Sequence, residues 1–250
     1  MGYLRAVIRF LCLMAAYAVF FLIGIFFNIV FLGSERKRNR WLSLATTLLG
    51  RCFCFILSIR IKVVGDPCPV PGALIVANHV GSPDIFVLSA CFEAFFVSKM
   101  ELRDWPVLGM LTRLGATLFV DRSRKHEVKA TIEEIRERLE SGVSVVLFPE
   151  GGVTNGDKIN PFKTSHFESA VLAHSPVLPV LIQYHDKHSP SIACWVNISF
   201  YRHFLALLKN PVLDVSVTIF PPITGRDRRY LAEESFRLIR ERYQKTSASL

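Results

Sequence analysis

The 250-residue chain has no Cys-x-x-Cys pair. Its six cysteines, Cys12, Cys52, Cys54, Cys68, Cys91 and Cys194, are scattered, and three lie in apolar N-terminal sequence. They fit neither a disulfide framework nor a zinc site, and they read as buried thiols of a reducing compartment. Zinc-finger spacing is absent, as are a glycine-rich nucleotide loop and a basic helix with interleaved aromatics. These absences set nucleic acid aside as a partner. Nor is there a Gly-x-Ser-x-Gly elbow, so a thioester or lipid-ester hydrolase would lack its nucleophile turn. The chain has no internal repeat and no low-complexity segment. Asn197-Ile198-Ser199 matches a glycosylation acceptor by chance.

What is plentiful is apolar and basic. Hydrophobic residues make up 51% of the chain, the net charge is +9, the pI is about 9.5 and the mean hydropathy is +0.34. That balance suits an anionic membrane surface or a phosphate-bearing substrate. Residues 10–32 form an uncharged run, long enough to cross a hydrocarbon core of about 30 Å. Arg5 and Arg9 precede it and Glu35-Arg36-Lys37-Arg38-Asn39-Arg40 closes it. It is too long for a signal peptide, no small-x-small cleavage site follows, and it should stay in the mature protein. Whether it spans or re-enters is left open. A second apolar segment, 41–59, carries Arg51 in its middle. A central charge costs about 3 kcal/mol on insertion scales, so this segment is expected in the interface or packed on the first. Ala6 stands where myristoylation needs Ser or Thr. The basic flanks place the following domain in the cytoplasm by the positive-inside rule. We therefore expect anchoring helices over 1–59 and an α/β domain over 60–250.

From residue 60 onward, strands and helices alternate. Strands are predicted at 61–64, 74–77, 95–98, 117–120, 143–148, 177–184, 193–200 and 213–220. Helices are predicted at 83–92, 105–114, 126–140, near 164–174, and at 231–245. The pattern implies an α/β fold with a mostly parallel mixed sheet flanked by helices. The apolar run 143–148 suits a strand covered on both faces.

The chemistry concentrates in 73–85. An apolar strand breaks at Asn78, and a helix begins with Ser82 as candidate N-cap and Pro83 in its first turn. His79 thus ends a strand and Asp84 sits in the first turn of the next helix. An Asp there is favoured as an anion and can accept from one ring nitrogen of His79. The other nitrogen is left as a base, and no serine or cysteine is fixed beside it as nucleophile. The simplest use is to deprotonate a substrate hydroxyl that itself attacks. The plainer alternative is a helix-capping Asp and a histidine filling a polar loop. Two further strand ends carry charge: Arg122 after the strand at 117–120, and Glu150 in Phe148-Pro149-Glu150-Gly151-Gly152. Ligands of open α/β sheets collect at such ends; a turn acid and a solvated cation are the plainer readings.

Four ordered blocks resemble the glycerolipid acyltransferases, of which 1-acylglycerol-3-phosphate acyltransferases are the type members. They are Asn78-His79 with Asp84, the segment from Gly115 to Arg122, Phe148-Pro149-Glu150-Gly151, and the apolar run ending at Pro179 in Val177-Leu178-Pro179-Val180. The resemblance implies transfer of an acyl chain from acyl-CoA or acyl-carrier protein to a lysophospholipid hydroxyl. It makes His79 the base and Asp84 its orienter, gives Arg122 an acceptor phosphate, and puts Glu150 and Gly151 in the acceptor site. It requires no metal or bound cofactor, because a thioester is already activated, and membrane lipids become the partners. One block departs from the pattern: type members follow Glu-Gly with Thr-Arg-Ser, and here Gly152-Val153-Thr154 stand. The missing arginine weakens a free phosphomonoester acceptor, and Thr154-Asn155-Gly156 with Phe162-Lys163 looks more like relatives that use other lysophospholipids or glycerol phosphate; lysophosphatidylcholine, lysophosphatidylethanolamine and lyso-ornithine lipid are the alternative acceptors. Lysophosphatidate remains the expected acceptor because it is the commonest substrate of the family. An inert lipid-binding protein on the same fold is the competing class.

Overall fold

The computed structural model describes residues 1–66, 70–100, 117–120, 125–188 and 190–247. Seven strands form one sheet in the order β1-β7-β6-β2-β5-β3-β4. They are β1 (Ile59–Val64), β2 (Leu74–Ala77), β3 (Ala94–Lys99), β4 (Leu118–Val120), β5 (Ser144–Leu147), β6 (Val177–Tyr184) and β7 (Leu213–Ile219). Only the β6–β7 pair is antiparallel; the other five pairs are parallel. The expected mostly parallel mixed sheet is therefore what forms.

β2 and β5 lie centrally and are buried at every position, as a strand covered on both faces requires. The pleat sends alternate residues into two cores. Ile75 and Ala77 join one, which packs under α1 (Gly2–Val30), α2 (Glu35–Leu57), α3 (Pro83–Cys91) and α6 (Phe200–Lys209). Leu74 and Val76 join the other, under α4 (Lys125–Glu140), α5 (Glu168–Leu172) and α7 (Arg228–Ser247).

α1 and α2 form a hairpin laid along the domain. Ala6 and Leu13 of α1 enter the first core, Phe20 packs on Ala45 of α2, and Phe27 packs against Leu42, Phe95 and Val143. α1 is thus held from its first turns to its last. Arg9 is buried, and its guanidinium donates to the carbonyls of Leu208 (3.2 Å), Asn210 (2.5 Å) and Pro211 (3.3 Å) and to Ser58 Oγ (2.6 Å). Arg5 donates to Lys209 O at 2.8 Å. Both arginines cap the C-terminal end of α6, where free carbonyls and the helix dipole favour cations. α2 packs on α3 closely enough that a Cβ on Gly50 would lie 2.5 Å from Ser89 Cβ. Arg51 is exposed, and its Nε donates to Ala90 O at 3.2 Å, tying α2 to α3.

Several expectations change. Residues 193–200 are not a strand: Asn197 sits at φ 57, the chain turns, and α6 begins after Ser199. The helix expected near 164–174 is a 3-10 turn, Ser165–Phe167, running into the short α5. Ser82 occupies the N-cap position without making a side-chain cap bond. Cys12 and Cys52 are exposed on α1 and α2, not buried, whereas Cys54 and Cys194 are buried. The helix expected at 105–114, along with Cys68, lies outside the described residues.

Candidate active site

The site is built at the carboxyl end of β2. Asn78 closes the strand: its Nδ2 donates to Ile182 O at 3.0 Å and its Oδ1 accepts from Ile182 N–H at 2.8 Å, pinning the end of β2 to β6. The chain then turns sharply from His79 to Ser82. Gly81 is obligatory in that turn, because a Cβ there would sit 1.9 Å from Ala193 O.

Asp84 is fully buried in the first turn of α3. Its Oδ2 accepts from His79 Nδ1 at 2.8 Å, Val80 N–H at 2.6 Å and Gly81 N–H at 3.0 Å. Its Oδ1 accepts from the Tyr184 hydroxyl at 2.7 Å. These four donors replace the water that burial strips from the carboxylate. Burial, and then the Asp84 charge, push the Tyr184 pKa well up, so this phenol stays a donor. An ionised carboxylate only accepts, so the His79 proton sits on Nδ1 and Nε2 keeps its lone pair. No described residue bonds Nε2. The ring stacks on Phe148, centroids 4.1 Å apart and planes at 17°, and its side chain remains 19% exposed.

The loop after β5 clamps the His79 backbone. Glu150, 7% exposed, accepts His79 N–H at 2.8 Å on one oxygen and Asn160 N–H at 2.7 Å on the other. Burial pushes the Glu150 pKa up, against the pull of those two backbone donors. Gly151 takes φ +82 and its N–H donates to Phe148 O at 3.3 Å, forming the turn that aims Glu150 back at β2. Thr154 donates to His79 O from its N–H at 2.9 Å and from its hydroxyl at 3.3 Å. Thr154, part of the departure from the type pattern, thus fixes the His79 backbone.

Behind the turn, Trp195 N–H donates to Val80 O at 3.3 Å and Ser82 Oγ pairs with His203 Nε2 at 2.7 Å. The structure so brings together His79, Asp84, Glu150 and Gly151; Arg122 lies outside the described residues. Among the described residues no three His, Cys, Asp or Glu side chains are placed to hold a metal ion.

An oriented imidazole with one nitrogen that no described residue bonds is equipped to take a proton from a substrate hydroxyl. A family model described as acyltransferase matches residues 60–183. The lyso-ornithine lipid O-acyltransferase of Rhizobium meliloti is 34% identical, over 87% of this chain and 78% of that one. The chain belongs to the glycerolipid acyltransferase family. A second lyso-ornithine lipid O-acyltransferase, from Brucella abortus, is 32% identical over 90% of each chain. The 1-acyl-sn-glycerol-3-phosphate acyltransferase of Neisseria gonorrhoeae is 35% identical over 62% of this chain and 60% of that one. The crystal structure of the 1-acyl-sn-glycerophosphate acyltransferase of Thermotoga maritima shares the fold, with TM-score 0.70 over 99% of this chain and 98% of that one at 21% identity.

The protein is thus an acyltransferase enzyme. Sequence reasoning assigned no structural role in the site to three residues. Tyr184 ends a strand far from Asp84 in the chain, and only the β2–β6 pairing brings them together. Thr154 and His203 act through backbone and second-neighbour contacts that no motif spells out.

Proposed function

We propose that this acyltransferase moves an acyl chain from an acyl-CoA or acyl-carrier-protein thioester to the free hydroxyl of a lysolipid at a membrane surface. His79 Nε2 takes the hydroxyl proton as the oxygen attacks the thioester carbonyl. Asp84 holds the imidazole and stabilises the imidazolium without taking the proton. Collapse of the tetrahedral intermediate breaks the carbon–sulfur bond, and His79 returns the proton to the leaving thiolate. The observation that carries this reading is the four-donor Asp84 behind a His79 whose Nε2 no described residue bonds.

For the acceptor, the reading best supported is lyso-ornithine lipid. Two relatives named for that substrate align with 87% or more of this chain. Val153 stands where phosphomonoester-using type members carry arginine, which agrees. Lysophosphatidate is the second reading, favoured by the Neisseria relative. By resemblance, Arg122 and Gly151 lie on the acceptor side. Residues 1–59 attach the enzyme to one leaflet and 60–250 carry the chemistry: α1 and α2 are each long and apolar enough to cross a membrane, yet both lie along the domain. Arg5 and Arg9 are engaged by α6, so Arg36, Lys37, Arg38 and Arg40 carry the argument for a cytoplasmic face.

The test is purified full-length protein with one acyl-CoA and a panel of lysolipids, followed by mass spectrometry of the products. Ornithine lipid as the preferred product is expected. A preference for lysophosphatidate over lyso-ornithine lipid would overturn the acceptor assignment, and thioester hydrolysis without lipid product would overturn the reaction.

A further inference from the structure

α6 has two faces. His203, Leu207 and Leu208 are buried against the first core, while Ile198 in the preceding turn, Tyr201 and Leu205 are 45%, 84% and 40% exposed. Tyr201 and Leu205 stand one turn apart on α6, and Ile198 lies just ahead of its extended N-cap Ser199, so apolar side chains are exposed from the turn into the helix. An exposed apolar patch needs an occupant. Arg202 beside it is exposed, Lys209 closes the helix, and no Asp or Glu occurs anywhere from 187 to 213. α6 packs along the first half of α1, where Arg5 and Arg9 grip its last carbonyls and Lys209 Nζ lies 3.4 Å from the Tyr3 ring centroid. That half of α1 exposes Tyr3, Leu4, Val7, Ile8 and Leu11, and it too is free of acidic residues. The patch therefore continues an apolar, basic surface that already fits a bilayer.

We propose that α6, with Ile198, is a second lipid-docking element that lies in the interface of an anionic membrane beside α1 and holds the catalytic turn at that surface. An amphipathic helix with aromatic and aliphatic residues on one side and basic residues at its margin binds such an interface. The link to the turn is direct. His203, on the buried face, pairs with Ser82 Oγ at 2.7 Å, and its ring lies parallel to Trp195, whose N–H holds Val80 O. Ala193 O fills the space that a side chain on Gly81 would need. Ala193, Trp195 and His203 thus form the rear wall of the turn carrying His79 and Asp84, and docking the exposed face of α6 fixes the height of that turn above the lipid. The proposal rests on membrane attachment and not on which lysolipid is acylated.

The experiment uses the full chain in vesicles of phosphatidylcholine with phosphatidylglycerol, with Cys12, Cys52 and Cys68 replaced by serine. An environment-sensitive fluorophore is attached at Leu205→Cys, at Tyr201→Cys, or at Arg242→Cys on the far helix α7. Quenchers on the lipid chains should dim the probes at 205 and 201 but not at 242, and aqueous iodide should do the reverse. Iodide quenching at 205 equal to that at 242 would overturn the proposal. In parallel, Tyr201→Glu with Leu205→Glu should lower kcat/KM on vesicle-borne lysolipid about tenfold or more. Turnover of a water-soluble short-chain acceptor should be unchanged. Equal turnover of vesicle-borne lysolipid by wild type and variant would also overturn it. The fluorescence result stands whether or not the acceptor is assigned correctly.

Discussion

Replacing Glu150 by glutamine keeps the side chain's shape and removes one acceptor. Near neutral pH the carboxylate takes the N–H of His79 at 2.8 Å and that of Asn160 at 2.7 Å. The amide can serve only one of them, and its NH2 must face the other. A hydrogen bond to a charged group contributes about 1.5–3 kcal/mol, and a stranded buried N–H costs about 1–3 kcal/mol. Relief of the burial that raises the Glu150 pKa offsets part of this. A net loss of about 2–3 kcal/mol, at about 2–4 °C per kcal/mol for a chain of this size, lowers Tm by roughly 4–12 °C. The His79 backbone then loses one side of its clamp, and kcat should fall about tenfold or more while the acceptor KM changes little. Thermal unfolding of the detergent-solubilised enzyme and steady-state kinetics on the same sample measure both. Unchanged Tm and kcat with a raised acceptor KM would refute the reasoning, because Glu150 would then touch the acceptor and not hold the backbone.

Tyr184→Phe removes the one donor to Asp84 Oδ1 among the described residues, and at about 1.5–3 kcal/mol for that bond kcat should drop roughly ten- to a hundredfold. Wild-type kcat in that variant would show that Oδ2 alone orients His79. His203 supplies a pH test: burial pushes its pKa down to about 4 from 6.5, so the unfolded chain takes up the proton first as pH falls. Its contribution to stability is fully present above 6.5 and is lost as pH falls from 6.5 toward 4. Wild-type Tm should therefore decline across that window, and His203→Gln should flatten the decline; a parallel decline in both would exclude His203 as its source.

Much of the catalytic end was legible because its signals are local. The apolar run of β2, the break at Asn78 and Pro83 in the first turn of α3 placed His79 and Asp84 on opposite sides of a turn, where they meet. β5 read as doubly covered for the same reason that it lies centrally. The misreading at 193–200 has a physical cause. Trp195, Val196 and Ile198 have the composition of a strand, but Trp195 and Ala193 are placed by the turn they back, and Asn197 at φ 57 ends any extension. α6 was missed with it, since its apolar residues serve both the core and the exposed patch and so blur the helical period. Arg5 and Arg9 read as flanks of an apolar run; their capping of α6 depends on a contact about 200 residues away. Glu150 could be placed at a strand end, but not its engagement by two backbone donors, which the β2–β5 pairing decides.

The central claim is that His79 and Asp84 work as one base. It is tested most directly by kcat for His79→Ala, Asp84→Asn and the double variant, in the same vesicles with the same thioester. Groups acting as a unit are strongly non-additive, so the double variant should be no slower than His79→Ala alone. Losses that multiply across the two substitutions would contradict the account, because His79 and Asp84 would then contribute separately.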